Sequence, residues 1–272
     1  MIRLIGMRPW QKRIFEMNIF DLFFVYGSEL PENVGFPMYG IAHILWLAVG
    51  VVLTVLLAIL YRRKSEKTRR RMDLWIGSFL LFCIVIRDIY LLIVGYLTIY
   101  ELPFHLCTMA GILGFIHSIK RADWIGQVLY ALCLPGTLVA LTFPDWIYYP
   151  PIHFITMQGF LYHFGVALYV LCQLISKRIR PDIRKIWKVY LFLLIIAVPI
   201  YFFNKKLGTN YLFINVPSAG SPLEWIADFM GNPGYLIGFG ILTVVGTCLM
   251  DLGFMLASWI FNKVKGYPDK AG

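Results

Sequence analysis

The chain has 272 residues, of which 59% are hydrophobic and 17% aromatic, and it carries a formal charge of +10. A water-soluble domain could not cover so much apolar surface with polar side chains, so lipid is the solvent that fits. The charge is badly placed for a nucleic-acid surface, because eighteen of the 25 Lys and Arg lie in four clusters that flank apolar runs: Arg62 to Arg71, Lys120 and Arg121, Lys177 to Lys188, and Lys263 to Lys270.

Residues 1–36 read as an N-terminal interfacial segment with no cleaved signal peptide, since no long apolar core precedes a small-residue cleavage site. Within it, Trp10 to Leu30 is aromatic-rich but broken by Glu16, Asp21 and Gly27. It fits an interfacial helix, or an eighth, shorter span that would put the N-terminus inside. Residues 37–261 form the transmembrane domain. About 20 apolar residues cross a bilayer. Runs of that kind extend from Pro37 to Leu60, Leu74 to Tyr96, Leu102 to Ile119, Trp124 to Phe143, Phe154 to Ile175, Trp187 to Phe203 and Tyr235 to Phe261. Residues 262–272 are a short tail. The expected fold is all-α, a polytopic bundle of about seven helices in the cell membrane. The basic loops follow spans one, three, five and seven, which puts the N-terminus outside and the C-terminus in the cytoplasm. Two connections at the other end, Asp145 to Pro151 and Asn204 to Pro233, are rich in Trp, Tyr, Pro, Gly and Asn, as membrane-interface loops are. The second is long enough to act as a lid or binding loop.

Polar side chains inside spans are costly and are functional candidates for that reason. At about 1.5 Å per residue, they gather at one level below the outer surface: His43, Arg87 with Asp88, His105 with Cys107 and Thr108, Asp145, and Thr156, Gln158 and His163. Ser78, His117, Gln127 and Asp251 are the main exceptions, deeper in the inner halves. His105 and Thr108 share a helical face, as do Thr156, Gly159 and His163. Each has a plainer reading: a lone His as an interhelical hydrogen bonder, Arg87 and Asp88 as charges paired with other helices, Asp145 as a turn residue. The five cysteines show neither metal-ligand spacing nor a disulfide framework. His43, His105, His163 and Asp145 offer no zinc motif, so no metal or cofactor is expected.

Several short motifs then stand in order: the pattern ending in His43, Leu102-Pro-Phe-His-Leu-Cys107, Gly136-Thr137 followed by Phe143-Pro-Asp145, His163, and Gly208-Thr-Asn-Tyr211. Over residues 36 to 255 the chain resembles the YwaF-like family of bacterial integral membrane proteins, which looks related to the animal transmembrane protein 164 family. The resemblance implies an acyltransferase that moves a fatty acyl chain onto lysophospholipid with a Cys and a His. A remoter group, the androgen-induced family, resembles Thr/His hydrolases of fatty-acid esters. The base of span five carries over to His163. The nucleophilic Cys between the Pro and His of span three does not, because Phe104 stands there.

The expected function is therefore acyl transfer between membrane lipids in the outer half of the bilayer. Cys107 or Thr108 would be the nucleophile and His163 or His105 the base, with Asp88 orienting it and Arg87 meeting phosphate or oxyanion. His43, Asp145, Asn210 and Tyr211 complete the substrate contacts. The alternative is a non-enzymatic, outward-facing pocket for a lipid headgroup or small ligand. The charge asymmetry makes a direct prediction: single cysteines placed between Arg62 and Arg71 or between Lys177 and Lys188 resist impermeant thiol reagents added to intact cells. Strong labelling there would reverse the orientation.

Overall fold

In a computed structural model the described residues are 21–264, without the side chains of 257, 258, 260–262 and 264. Most of the N-terminal segment and all of the tail beyond residue 264 lie outside them. The described part contains eight helices and no strand: α1 (Ile41–Arg62), α2 (Glu66–Ile93), α3 (Leu106–Lys120), α4 (residues 123–142), α5 (Phe154–Ile175), α6 (Ile186–Leu207), α7 (Pro222–Met230) and α8 (Tyr235–Val264). Six are long and apolar enough to cross a membrane, and α3 is a shorter apolar helix of 15 residues. The chain is a multi-pass membrane protein.

α5 is the hub, packing against α1, α2, α3 and α4, while α6 and α8 lie outside it against α4. Leu80, Leu129, Phe160, Tyr169 and Val170 are fully enclosed at these contacts. α1 and α8 instead present most of their apolar side chains outward, as lipid-facing helices do. α4 changes pitch midway. Leu129–Cys133 form a π turn, in which the Leu134 amide bonds the Leu129 carbonyl. Pro135 follows and has no N–H to continue an ordinary ladder, so the wider turn absorbs the break.

Three elements differ from the sequence reading. α2 starts eight residues early, because Ser65 caps it by accepting the Thr68 amide and Glu66 sits in its first turn. α3 starts four residues late: Leu102-Pro-Phe-His lies outside the helix, and His105 is its N-cap residue. The long connection holds a helix of its own, α7. Ser221 caps it, Pro222 opens it, and Glu224 reaches back to the Gly220 amide at 2.6 Å. The described part of the expected interfacial helix, residues 21–30, is irregular apart from one 3₁₀ turn. Its carbonyls are taken up by neighbours: Phe24 accepts from Tyr90, and Val25 from the ring of His153.

The basic clusters of the described residues all fall at one end of the bundle, and the connections carrying Asp145 and Tyr211 fall at the other. The basic end is closed by a buried network. Asp73 Oδ1 accepts from Tyr61 (2.9 Å) and Gln173 (2.8 Å), and Oδ2 pairs with Arg178, which also holds Glu66 at 2.6 Å. Four segments meet there: α1, α2, α5 and the loop after it. Removing Asp73 would leave the largely buried Arg178 with only the exposed Glu66 as a counter-charge, and Tyr61 and Gln173 without their acceptor. Asp73→Ala is expected to lower stability by about 3–5 kcal/mol. Asp123→Ala, which breaks half-exposed pairs with Lys185 and Lys188, should cost only about 0–1 kcal/mol. Thermal unfolding of both variants in detergent measures the contrast.

Candidate functional site

At the end opposite the basic clusters, a pocket of about 220 Å³ is lined by Arg87, Tyr100, Glu101, Leu102, His105 and Asp145. Three features build it. Arg87 projects from the last turns of α2 and is fixed by Asp88, with Nε at 3.1 Å and Nη2 at 2.9 Å from one carboxylate oxygen. Its Nη2 also donates to the Glu101 carbonyl at 3.2 Å, so the arginine ties the helix end to the segment leading into α3. The expected pairing of Arg87 and Asp88 with other helices is met only in part: Asp88 pairs with its neighbour Arg87, Arg87 also faces the Glu101 carboxylate at 3.9 Å, and among the described residues no hydrogen bond joins Asp88 to a histidine.

Tyr211 is the second feature. Its hydroxyl accepts from the Leu102 amide at 2.8 Å and donates to the Ile99 carbonyl, clamping the turn that carries Leu102-Pro-Phe-His. Asn204 holds Tyr211 in turn, accepting from its amide (3.0 Å) and donating to its carbonyl (2.9 Å), with Thr209 on the same side-chain oxygen. The His105 ring lies against the rings of Tyr211 and Phe213, at 5.0 and 5.3 Å between centroids. Phe104 turns the other way, edge-on to Tyr211 and Phe203. It is a packing residue.

The third feature is the start of α3. His105 makes no side-chain cap, and the amides of Leu106 and Thr108 meet no acceptor among the described residues, while that of Cys107 turns to its own thiol. The His105 ring nitrogens likewise have no protein partner there. A half-buried imidazole at the N-cap of α3, without a hydrogen-bond partner among the described residues, therefore lines the polar pocket. Around it, burial pushes the Glu101 carboxyl up, Arg87 opposes that, and Asp88 and Asp145 add to it.

One turn deeper, Tyr162 of α5 inserts its hydroxyl into α3. It donates to the Cys107 carbonyl (2.6 Å) and accepts from the Gly111 amide (3.0 Å), the two groups an unbroken helix would join to each other. A Cβ on Gly111 would lie 2.3 Å from that hydroxyl, so only glycine admits it. Among the described residues no hydrogen bond joins the Cys107 thiol to a histidine, and Thr108 is buried. His163 stacks on Trp146, with centroids 5.0 Å apart, and its Nδ1 lies 2.7 Å from the Gly159 carbonyl. A carbonyl only accepts, so Nδ1 carries the proton. That leaves Nε2 as a bare acceptor, buried and unpartnered, as is the nearby Trp146 N–H.

Two other candidates serve the fold. His43 accepts from the Tyr39 amide (3.0 Å) and donates to the Leu141 carbonyl (2.9 Å), joining the start of α1 to the end of α4. Asn210 folds its own loop through Asn215 and Val216. Glu101 and Tyr100 were not singled out from the sequence. The signal for Glu101 was present, as a carboxylate two residues before Pro103. Among the described residues, no group of three or more His, Cys, Asp or Glu is placed to hold a metal ion.

A model of the TMEM164 family matches residues 38–251. The chain belongs to the TMEM164 family. A protein of Treponema pallidum (strain Nichols) described as uncharacterized is 30% identical over 196 residues, which covers 70% of this chain and 79% of that protein. No solved structure matches. The family match takes in the Arg87, His105 and Asp145 pocket, the Tyr211 clamp and the Tyr162–Gly111 contact.

That last contact is testable alone. Gly111→Ala should destabilise by about 1–3 kcal/mol, the usual cost of overpacking. Adding Tyr162→Phe should recover part of the loss, because the clashing hydroxyl is gone. Thermal unfolding of the single and double variants gives the coupling, and strict additivity would refute the inserted-hydroxyl geometry.

Proposed function

We propose that this protein is a membrane-embedded acyltransferase acting on the acyl chains of phospholipids and lysophospholipids, with the His105 pocket as its reaction site. The observation that carries this reading is the His105 imidazole, unpartnered among the described residues, in one pocket with Arg87 and Asp145 at the start of α3. The residues suit direct transfer better than a cysteine relay, since the Cys107 thiol lacks a histidine partner and Phe104 stands between Pro103 and His105.

In the proposed step, a His105 ring nitrogen takes the proton of the acceptor lysophospholipid hydroxyl as that oxygen attacks the donor ester carbonyl. The carbonyl oxygen takes on the negative charge and rests on the open amides of α3, where fixed N–H dipoles are strongest in a site poor in water. Collapse breaks the bond to the donor's glycerol oxygen, which recovers the proton from His105. Arg87 still has Nη1 without a protein partner and can meet a lipid phosphate. Exposed apolar faces beside the pocket hold the acyl chains.

The test is acyl exchange by purified protein in mixed vesicles, using isotope-labelled phosphatidylcholine as donor and several lysophospholipids as acceptors. His105→Gln should lower the rate by about a hundredfold or more. Cys107→Ala and Thr108→Val should leave it within a small factor of wild type. Loss of transfer in Cys107→Ala alone would restore the covalent cysteine mechanism. No transfer by wild type with any acceptor would refute the enzyme, and retained lysophospholipid binding would then mark the pocket as a lipid receptor.

A further inference from the structure

α7 is built to stand alone between two spans. Ser221 and Glu224 cap its start, and Gly231, with φ +70°, ends it. Its nine residues divide into three arcs. Leu223 is buried, and Ile226 and Met230 pack on α8 where Gly238 lies; a Cβ on Gly238 would sit 2.4 Å from Ile226. Glu224 and Asp228 form a polar arc. Trp225 and Phe229, one turn apart, form a third arc and are 61% and 90% exposed.

An exposed Trp and Phe on a nine-residue helix need an apolar partner. The neighbouring surface indicates which one. On α8, one turn in from α7, Ile237 and Ile241 are 66% and 59% exposed, and both belong to a helix long and apolar enough to cross a membrane. α7 packs directly on that helix through Ile226 and Met230, which leaves the exposed Trp225 and Phe229 beside a span whose own apolar side chains face lipid. We infer that α7 lies in the plane of the membrane interface, with Trp225 and Phe229 in the lipid at the acyl–headgroup boundary and Glu224 and Asp228 in water. Its occupant is the bilayer itself.

The placement reaches the pocket. Trp225 meets Phe143 edge-on at 6.2 Å, two residues before the pocket's Asp145. The connection that carries α7 also carries Tyr211, and it is closed by Asn232 to the Asn215 carbonyl (3.0 Å) and Tyr235 to the Phe213 carbonyl (2.8 Å). α7 thus anchors in lipid the loop that clamps the His105 turn. The inference does not depend on any catalytic activity.

The test uses a photoreactive benzophenone amino acid placed singly at Trp225, Phe229, Glu224, Asp228 and, as a spanning control, Ile241. Full-length protein in phosphatidylcholine vesicles is irradiated and adducts are read by mass spectrometry. Lipid adducts are expected at Trp225 and Phe229 in yields like that of Ile241, and their loss is expected at Glu224 and Asp228. Each variant's elution volume in size-exclusion chromatography reports folding, and Phe229→Asp serves as a second probe. It should move the Trp225-position adduct from acyl chain to headgroup, or abolish it. Adducts to a second copy of the chain at Phe229, or no lipid adduct there while Ile241 gives one, would overturn the inference.

Discussion

In a bilayer, every backbone group that leaves a helix must find another partner, because no bulk water reaches it. Several polar side chains among the described residues bond backbone carbonyls in this way. His43 takes the Leu141 carbonyl, His153 that of Val25, Trp46 that of Pro151, Thr156 that of Pro150, Gln158 that of Cys83 and Tyr130 that of Met250. The first four let the chain turn between helices without leaving those carbonyls bare; the last two reach carbonyls inside α2 and α8 and tie neighbouring helices together. Against that background the His105 imidazole differs: it has no hydrogen-bond partner among the described residues and lines a polar pocket.

The two ends of the bundle answer different needs. At the basic end a compact ion network joins α1, α2 and α5, and each charge in it has a partner. Replacing it with apolar residues could leave stability unchanged, since a buried pair spends much of its attraction on its own desolvation. Its use lies in fixing one relative placement of three helices. That placement holds α5 so that Tyr162 meets Gly111 and opens α3 a turn below the pocket. A rigid far end and a backbone opened by a neighbouring hydroxyl are therefore parts of one arrangement.

Much of this was legible in the residues. Apolar runs located the spans, and α5 matches its expected limits of Phe154 and Ile175. Arg87, His105 and Asp145 were singled out by depth alone and line one pocket. The start of α3 was not legible, because Leu102 to His105 is apolar enough to continue a span; it is Tyr211, over a hundred residues later, that ties down this turn by taking the Leu102 amide. His43 and Asn210 show a different blind spot. A polar residue inside an apolar run looks the same whether its partner is a backbone carbonyl or a ligand. α7 was legible in the Ser221-Pro222-Leu223-Glu224 pattern but is short beside the loop that contains it.

The length of α3 has a consequence of its own. Fifteen residues reach about 22 Å at 1.5 Å each, while the hydrocarbon layer is about 30 Å thick. With the far end of the helix level with its neighbours, its start falls about 8 Å short of the surface. The shortfall becomes a well in the protein's face, with His105 at its floor and Arg87 and Asp145 in its wall. A polar group standing in that well lies below the level of the neighbouring helix ends without having to enter the oily interior.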